Sequence, residues 1–427
     1  GNKLSFDIEG SRYLIVKINN LKELAIAGDN LETEVPDSEG EGIYNILSKP
    51  YKADKKGKKP STVAIQTAID DACRNGGGIV YVPVGLYYCG NLVLRSNVHI
   101  YMEGGAVIRG TGNPKDYITH YRKESLQMDG TWFIYTDENT SNIKIYGRGT
   151  IDGNGSYMRN QHKYLNNLLM PMQCSGFTVD GITFIDSGLW GVIPTRCDHV
   201  LLQNTKHYNE NDKDHEDDSI DIQECRHVLV RHTIAIAEDD TYSTKTWTHT
   251  TDIADKWYGD PEPLDDVTFD DCLGWSRCAT FKLGFGVEQD QTNLRFVNST
   301  SYKSMRAIAV NHKWGKGIAR NVVFDNIDIE GFWPRDKNNS RWLEIYLQAP
   351  ETVEDIVIRN VRVRDKGNTP SIIKGYDAKH PLKNIILENI YMYDRNVPAY
   401  SLEEMNITDV NKYIERLQLI QTYHANR

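Results

Sequence analysis

Two clusters of carboxylic acids lie close together, within residues 215–245. The first ends in Asp218, and the second contains Asp239 and Asp240. Between them apolar residues alternate with polar ones, which is typical of a strand with one buried face. Asp218 and Asp239 are 21 residues apart. If the chain wound once per about 20 to 30 residues, as solenoid repeats do, they would lie on neighbouring strands about 4.8 Å apart. The spacing predicts a catalytic carboxylate cluster; the alternative for either segment alone is an acidic turn in solvent.

Carboxyl groups placed in this way can hydrolyse a glycosidic bond. One group must be protonated to assist the leaving oxygen, and another must be ionised to activate a water molecule. Crowded acids repel one another, so we expect at least one to keep its proton to a higher pH than a free aspartate does. An ammonium nearby, such as that of Lys245, would keep another one ionised.

A repeated motif must position these acids. It consists of a polar or small residue, two apolar residues separated by one position, and a closing Asn, Gly or Asp; examples are residues 142–147, 227–230, 293–298 and 321–326. Steps between successive copies include 23, 27, 28 and 29 residues, the length of one coil of a parallel β-helix, and longer steps indicate loop insertions. The sequence therefore predicts an all-β parallel β-helix.

Amphipathic segments are expected to cover both ends of this solenoid. Residues 61–75 predict an N-terminal helix that begins at Ser61 or Thr62 and ends at a run of glycines. Near the other end, Thr408 as N-cap and an apolar face with Ile414 and Leu417 predict a C-terminal helix.

We accordingly divide the chain into three parts. Residues 1–40 form an N-terminal β segment, either the remnant of a β-sandwich or strands packed on the main body. Residues 43–395 form the β-helix, and residues 396–427 form a C-terminal helical cap.

The cysteines predict packing and not chemistry. Cys174, Cys197 and Cys225 each precede the first apolar position of a repeat by three residues, so they should stack as buried thiols in successive coils. The seven cysteines show no CxxC spacing. We expect no metal site and no cofactor.

Composition excludes several classes of partner. The chain has 427 residues and a net charge of -10, which argues against binding to nucleic acid or to an anionic membrane. No apolar run approaches the roughly 18 residues of a membrane span. We expect a glycan partner and a monomer, although the oligomeric state stays open, and a secreted or periplasmic protein whose leader is not part of this chain.

Several segments resemble glycoside hydrolase family 28, the polygalacturonases and their relatives. They are residues 61–110, GTIDGNG at 149–155, and the segments 184–204 and 375–390. The resemblance extends from about residue 43 to residue 392. It implies a right-handed, single-stranded parallel β-helix that hydrolyses pectin-type polysaccharide with inversion of configuration.

The resemblance also implies roles for individual residues. Asp218 matches the first catalytic aspartate of the family, Asp239 the general acid and Asp240 the partner base, while Lys245 matches a lysine on the substrate side. Inverting enzymes usually hold acid and base about 6.5 to 9.5 Å apart.

Two other family motifs are changed. The histidine of the GHG motif corresponds to Cys278, and the RIK motif corresponds to residues 309–311, Ala-Val-Asn, without either basic residue. Ordinary pectate is therefore a poor match, and we expect an α-linked acidic or galactose-type glycan.

Substrate-binding candidates surround the acids. Trp247, His249 and Trp257 lie in a loop insertion, where aromatic faces could bind sugar rings. Lys282 and His312 could supply positive charge for an anionic sugar. A second rim is predicted at residues 332–342, which include Trp333, Arg335, Arg341 and Trp342. The alternative for each is an ordinary core or surface residue.

Other functions remain open. A weaker resemblance to the family 49 dextranase-like enzymes suggests an α-glucan hydrolase, whose sandwich the N-terminal β segment would represent. A polysaccharide lyase would use the acids to bind Ca²⁺. A catalytically silent glycan-binding protein would explain the missing basic residues.

Overall fold

The computed structural model describes residues 3–209, 216–333 and 339–422. Within these ranges the chain folds into a parallel β-helix, as predicted. The strands of its first part are β1 (Arg12–Val16), β2 (Leu24–Gly28), β3 (Ile43–Asn45), β4 (Gly78–Val82), β5 (Gly85–Cys89), β6 (Leu92–Leu94), β7 (Val98–Met102), β8 (Ala106–Gly110), β9 (Tyr121–Lys123), β10 (Met128–Thr136), β11 (Ser141–Gly147) and β12 (Thr150–Asp152).

The central part contains the strands β13 (Tyr164–Met170), β14 (Ser175–Asp180), β15 (Thr183–Ile185), β16 (Asp198–Gln203), β17 (Lys206–Asn209), β18 (Ile220–Gln223), β19 (Arg226–Ala237), β20 (Tyr242–Thr246), β21 (Leu264–Ser276) and β22 (Ala279–Val287). The last part contains β23 (Gln291–Lys303), β24 (Arg306–Trp314), β25 (Ala319–Ile329), β26 (Arg341–Leu347), β27 (Val353–Val363), β28 (Ser371–Lys374), β29 (Leu382–Met392), β30 (Ile407–Val410) and β31 (Ile414–Ile420). The two helices are α1 (Thr62–Arg74) and α2 (Gly155–His162), and a 3₁₀ turn spans Pro114–Asp116. Neither helix in the described ranges has the length and apolar content that crossing a membrane requires.

Successive coils stack their strands into long parallel sheets. The long strands β19, β21, β23, β25, β27 and β29 pair in that order and bend part-way along. A second sheet, called the site sheet below, has the order β18, β20, β22, β24, β26, β28, β30. The coils before it contribute β6, β10 and β13, which pair in parallel with one another.

The bends of the long strands are stabilised by polar ladders. Asn298, Asn326 and Asn360 all have positive φ there, a conformation that asparagine tolerates better than most residues. Their side-chain amides donate to the coil before, for example from Asn326 Nδ2 to Asn298 Oδ1 at 2.9 Å. The closing Asn or Asp of the sequence repeat is thus the residue that turns the strand.

Inside the coils, like residues stack on like. Phe269, Phe296 and Phe324 lie on successive strands with ring centroids 4.8 Å apart, and all are fully buried. Cys174, Cys197 and Cys225 are also buried and unbridged, and the backbone N–H of Cys197 donates to the sulfur of Cys225 at 3.3 Å. Burial raises the pKa of the Cys174 thiol to about 12, so the predicted inert thiol ladder is confirmed.

The predicted N-terminal helix is confirmed as α1. Its apolar face, which includes Ile65, Ala68, Ile69 and Ala72, is fully buried against the first coils. Strands β1 and β2 pair antiparallel, and Tyr13 and Ile15 pack on Ile234 and Ile236 of β19. The N-terminal strands therefore lie on the main body; the division of the chain at residues 40, 43 and 395 remains a prediction.

The predicted C-terminal helix is wrong. Residues 407–410 and 414–420 form β30 and β31, which add a further coil by pairing with β28 and β29. Ile414, Leu417 and Leu419 lie beside Leu382, Ile385 and Leu387 of β29. Arg416 takes the positive φ that Asn384 has in the coil before, so a break in the strand alternation produced a spacing that imitates a helix face.

We expect the phenylalanine stack to carry much of the stability. Phe296→Ala would leave a cavity between two rings and should lower the free energy of unfolding by about 3 to 5 kcal/mol. Chemical denaturation would measure this change. Phe6→Ala is the matched control, since Phe6 is 49% exposed; a Phe296→Ala protein as stable as this control would contradict the packing argument.

Candidate active site

The site sheet brings the predicted acids together. Asp218 precedes β18 and Asp240 precedes β20 by two residues each, and the register pairs Ile220 with Tyr242. The two aspartates therefore lie side by side on neighbouring coils, and the N–H of Ser219 donates to the carbonyl of Asp240 at 2.9 Å. Asp239 is adjacent to Asp240 in the chain and is more exposed than the other two acids.

These three acids line a cavity of about 640 Å³, a size typical of small-ligand sites. Three tryptophans also line it: Trp190, Trp247 and Trp314. Their rings form a row, with centroids 6.4 Å apart between the first two and 6.0 Å apart between the last two. Trp314 is 45% exposed, whereas Trp190 and Trp247 are at most 8% exposed, so the ring of Trp314 is the most accessible to the C–H patches of a sugar.

Two buried lysines neutralise part of the acidic cluster. Lys245 donates to Asp218 and, at 2.9 Å, to Asp221, and its ammonium lies 4.4 Å from the ring centroid of Trp190. Lys282 donates to Asp240 at 2.6 Å. The register pairs Lys282 with Ser243, which lies on β20 two residues before Lys245. Both ammonium groups therefore belong to the same cluster.

The acids have opposite protonation preferences. Burial and the charge of Asp240 raise the pKa of Asp239 to about 7. Burial opposes ionisation of Asp240 as well, but the ammonium groups of Lys282 and Lys245 outweigh it, and its pKa is lowered. Burial and the neighbouring Asp221 raise the pKa of Asp218 well above its usual range, although Lys245 opposes this shift. Near neutral pH, Asp239 can hold a proton while Asp240 is ionised.

Cys278 occupies the floor of the cavity, where the sequence comparison expected a histidine. Its sulfur lies within 4.8 Å of a carboxylate oxygen of Asp239 and of Asp240. Burial and these two acids raise the pKa of the thiol well above its usual value, so Cys278 stays neutral and can donate a weak hydrogen bond. A histidine here would titrate near neutral pH, whereas this thiol adds no charge.

The predicted loss of basic residues needs a correction. Residues 309–311 lack positive charge, but β24 begins three residues earlier at Arg306, whose register partner is Ala279 beside Cys278. Nη1 of Arg306 lies 3.7 Å from the sulfur of Cys278, and its Nε lies 2.8 Å from Glu344. A guanidinium is therefore retained directly behind the cavity floor.

The predicted substrate-binding residues divide into two groups. Lys245, Trp247 and Lys282 line the cavity. His249 is exposed outside its lining, with Nδ1 3.4 Å from the carbonyl of Ala254. Trp257 of the same loop is 4% exposed and packs in an apolar cluster.

His312 is fully buried, and its Nε2 lies 2.8 Å from the carbonyl of Gly317. The structure thus gives Trp257 and His312 packing positions instead of the predicted sugar contacts.

The described residues of the second predicted rim, 332–333 and 339–342, do not line the cavity. Trp342 is fully buried and donates from Nε1 to the carbonyl of Met405 at 2.6 Å. Arg341 pairs with Glu344 at 3.1 Å. Trp333 packs near Trp275 under the guanidinium of Arg277, and Arg335 lies outside the described residues.

Two groups of side chains in the described ranges have the spacing of metal ligands. One is Asp239, Asp240 and Cys278 in the cavity, and the other is Asp198, His199 and His227 on the surface. In the cavity group Lys282 already pairs with Asp240, which reduces the negative charge that a cation would need.

Sequence reasoning missed the residues that hold the 247–259 loop. Arg196 and Glu224 form a fully buried ion pair at 2.6 Å. Glu224 accepts hydrogen bonds from the N–H of Trp247 and of Glu262, one at each end of the loop. Arg196 donates to the carbonyls of Tyr258, at 2.7 Å, and Gly259. The only signal in the sequence was that both residues precede a cysteine of the thiol ladder by one position.

This ion pair should be important for stability. Glu224→Gln would leave the Arg196 guanidinium buried without its counter-charge, so we expect the free energy of unfolding to fall by about 3 to 5 kcal/mol. Denaturant titration would measure the change.

The control is Glu262→Gln, which breaks the exposed pair with Arg226 and should cost about 1 kcal/mol or less. Equal losses in the two variants would show that the buried pair has no special role.

Part of the chain matches the model of a known protein family. The model of glycosyl hydrolases family 28 matches residues 87–259, a segment that contains all three acids and Lys245. Over that segment the chain is similar to family 28. Cys278 and Arg306, where the motifs differ, lie beyond the matched segment. The resemblance drawn from the sequence is thus confirmed over this segment.

Curated relatives match this family 28-like chain in part. An exo-poly-alpha-D-galacturonosidase of Dickeya chrysanthemi is 37% identical over 122 residues, which cover 26% of this chain and 20% of that protein. A probable rhamnogalacturonase B of Aspergillus fumigatus is 24% identical over 307 residues, 68% of this chain and 51% of that protein. The chain therefore spans between a fifth and about half of the length of these relatives.

Solved structures agree in fold. An exopolygalacturonase from Thermotoga maritima superposes with a TM-score of 0.67 at 16% identity, covering 92% of this chain and 93% of that one. A family 28 exopolygalacturonase from Yersinia enterocolitica gives 0.66 at 17% identity, with coverages of 93% and 81%. At these identities the likeness establishes the β-helix fold.

Proposed function

We propose that this protein is an inverting glycoside hydrolase that cleaves an α-linked, galacturonan-like glycan outside the cytoplasm. The observation that carries the proposal is the pair of adjacent carboxyl groups with opposite protonation in one cavity. Asp239 has a raised pKa of about 7, whereas the pKa of Asp240 is lowered. Glycoside hydrolysis requires one acid and one base.

The proposed reaction assigns one role to each acid. Asp239 donates its proton to the glycosidic oxygen as the bond to the anomeric carbon breaks. Asp240 takes a proton from a water molecule, whose oxygen forms the new bond to that carbon. Proton exchange with solvent then restores both groups, and one water is consumed for each bond cleaved.

The water molecule would lie between Asp218 and Asp240. One oxygen of Asp239 lies within 4.8 Å of one oxygen of Asp240, closer than the roughly 6.5 to 9.5 Å usual for inverting enzymes. A water held between Asp218 and Asp240 would lie farther from the proton of Asp239 than the nearest carboxylate oxygen of Asp240 does.

The proposed substrate rests on the family and on the lining of the cavity. The relatives named above act on galacturonan-type polymers by their names, and Trp190, Trp247 and Trp314 would stack on sugar rings. Lys245 and Lys282 already pair with carboxylates of the protein. A uronate must therefore share these ammonium groups.

The activity should fall as the pH rises through about 7. Above that pH the general acid Asp239 loses its proton, and kcat/KM should decrease about tenfold per pH unit. Because the pKa of Asp240 is lowered, the base stays ionised, and the acid limb should lie below the ordinary aspartate range near 3.8. The measurement is the pH profile of kcat/KM for reducing-end release from polygalacturonate.

Lys282→Met tests the cause of this profile. The Lys282 ammonium lowers the pKa of both Asp240 and Asp239, so its removal should shift both limbs to higher pH. Lys366→Met removes an exposed lysine outside the lining of the cavity and should leave the profile unchanged. An unshifted Lys282→Met profile would rule out this electrostatic account.

Asp239→Asn should reduce kcat by at least about 100-fold, the lower range for loss of a general acid. The control is Asp328→Asn, which changes an acid whose side chain is 41% exposed on β25 and should leave kcat unchanged. A fully active Asp239→Asn protein would remove Asp239 from the mechanism.

Substrate class and reaction type need a panel of plant and algal polysaccharides. Reducing ends without ultraviolet absorbance indicate hydrolysis, absorbance of unsaturated products indicates a lyase, and neither signal indicates a glycan-binding protein. Release from α-glucans alone would favour the family 49-like alternative. Proton NMR of the first product distinguishes inversion from retention at the anomeric carbon.

A further inference from the structure

Two histidines replace asparagine in a ladder that runs along the start of the long strands. At this position the chain has positive φ in successive coils, and the residue is most often asparagine, as at Asn142, Asn293, Asn321 and Asn384. Each amide donates to the coil before, for example from Asn321 Nδ2 to Asn293 Oδ1 at 2.6 Å. In two successive coils the position is instead occupied by His199 and His227, with φ of 58° and 53°.

The register brings these two histidines together at the surface. Val200 of β16 pairs with Val228 of β19, so the residues that precede them, His199 and His227, lie side by side. Their ring centroids are 4.7 Å apart and the ring planes differ by 33°. The side chains are 67% and 49% exposed, so both rings are accessible to a solute.

One carboxylate oxygen is shared by the two rings. Oδ1 of Asp198 lies 2.7 Å from Nδ1 of His227 and 3.0 Å from Nδ1 of His199. A tetrahedral zinc ion, with bonds of about 2.0 to 2.1 Å, holds its ligand atoms roughly 3.3 Å apart. The three atoms therefore have nearly the spacing of ligands on one ion. Each neutral ring would then carry its proton on Nε2.

The charges around Asp198 favour a cation. Arg226 is the register partner of Asp198, but its Nη2 pairs with Glu262 at 2.8 Å. Among the described residues, the ion pairs of Asp198 are therefore those with the two imidazoles. In the next coil the same ladder position is occupied by Asp266, a further acid.

We propose that Asp198, His199 and His227 bind one divalent transition-metal ion of the zinc and copper class. Two imidazole nitrogens and one carboxylate oxygen suit these ions, whereas calcium and magnesium prefer oxygen ligands alone. Water would complete the coordination. The ion would join β16 to β19, and Asp218 belongs to the segment that connects these strands. The proposal does not depend on the proposed hydrolase function.

Other histidines show what distinguishes this group. His232 pairs with Asp271 at 2.6 Å, and His380 pairs with Asp377 at 2.8 Å. Within the described ranges neither pair belongs to a group of three possible ligands. The sequence predicted no metal site because His199 and His227 are 28 positions apart, and only the register of the coils joins them.

The test is calorimetric titration of the metal-free protein, prepared without a polyhistidine tag, with zinc chloride. We expect one zinc ion per chain. The double substitution His199→Asn and His227→Asn restores the ladder residue of the other coils, so the fold should be kept. The affinity for zinc should fall more than about 100-fold, since loss of a group that only supports a ligand already costs about 10- to 100-fold.

The matched control is His380→Asn, which removes a surface histidine that also pairs with an aspartate and should bind zinc as the wild type does. If the wild type bound no zinc, or if the double variant bound it as tightly as the wild type, the proposal would fall. The two histidines would then serve only as hydrogen-bonding members of the ladder.

Cobalt(II) provides a second measurement, which needs no folded variant of the surface group. It also separates this group from Asp239, Asp240 and Cys278 in the cavity, which have similar spacing. A thiolate ligand gives an intense charge-transfer absorption that imidazole and carboxylate ligands do not give. We expect the wild-type protein with one cobalt ion to lack this band. A charge-transfer band that disappeared in Cys278→Ser would place the metal in the cavity and overturn the proposal.

Discussion

The site depends on gathering four carboxyl groups around two ammonium groups: Asp218, Asp221 and Asp240 are buried, and Asp239 is partly buried. Unpaired charges cannot be buried in this way without a large free-energy cost. Lys245 and Lys282 compensate part of the negative charge, and a proton on Asp239 compensates another part. The raised pKa of Asp239 thus results from the same charge imbalance that the fold must tolerate. A scaffold that let these groups separate or hydrate would lose the raised pKa of Asp239.

The β-helix can supply this rigidity because each coil fixes the next one. The ladders at the bends and the stacked phenylalanines set the register of the long strands, and the site sheet inherits it. A one-residue slip would turn Lys282 away from Asp240 and place its neighbour there, since alternate residues face opposite sides of a strand. The cluster is therefore a product of long-range register and not of local conformation.

The periodicity of the sequence was sufficient to predict the features that recur at the same position in successive coils. The coil length predicted the fold, the adjacency of the three acids and the thiol ladder, and the local amphipathic pattern predicted helix α1. It misassigned residues 407–420, because the residue in the positive-φ position, Arg416, interrupts the strand alternation and spaces the apolar residues as in a helix.

Residue type alone also predicted sugar contacts for His312 and Trp257, whose side chains are buried. The RIK motif was matched to a segment that begins three residues after Arg306, so this basic residue was missed. The Arg196–Glu224 pair joins two coils and a loop, so no local pattern encodes it. In the same way, the contact between Glu124 and Asp252 joins residues 128 positions apart. Because desolvation is the largest cause of the raised Asp239 pKa, any segment that excludes water from the cavity also strengthens the ability of Asp239 to hold its proton. Hydrating the cluster would lower that pKa. The proton-holding carboxyl of Asp239 is in this way a consequence of the packing around it.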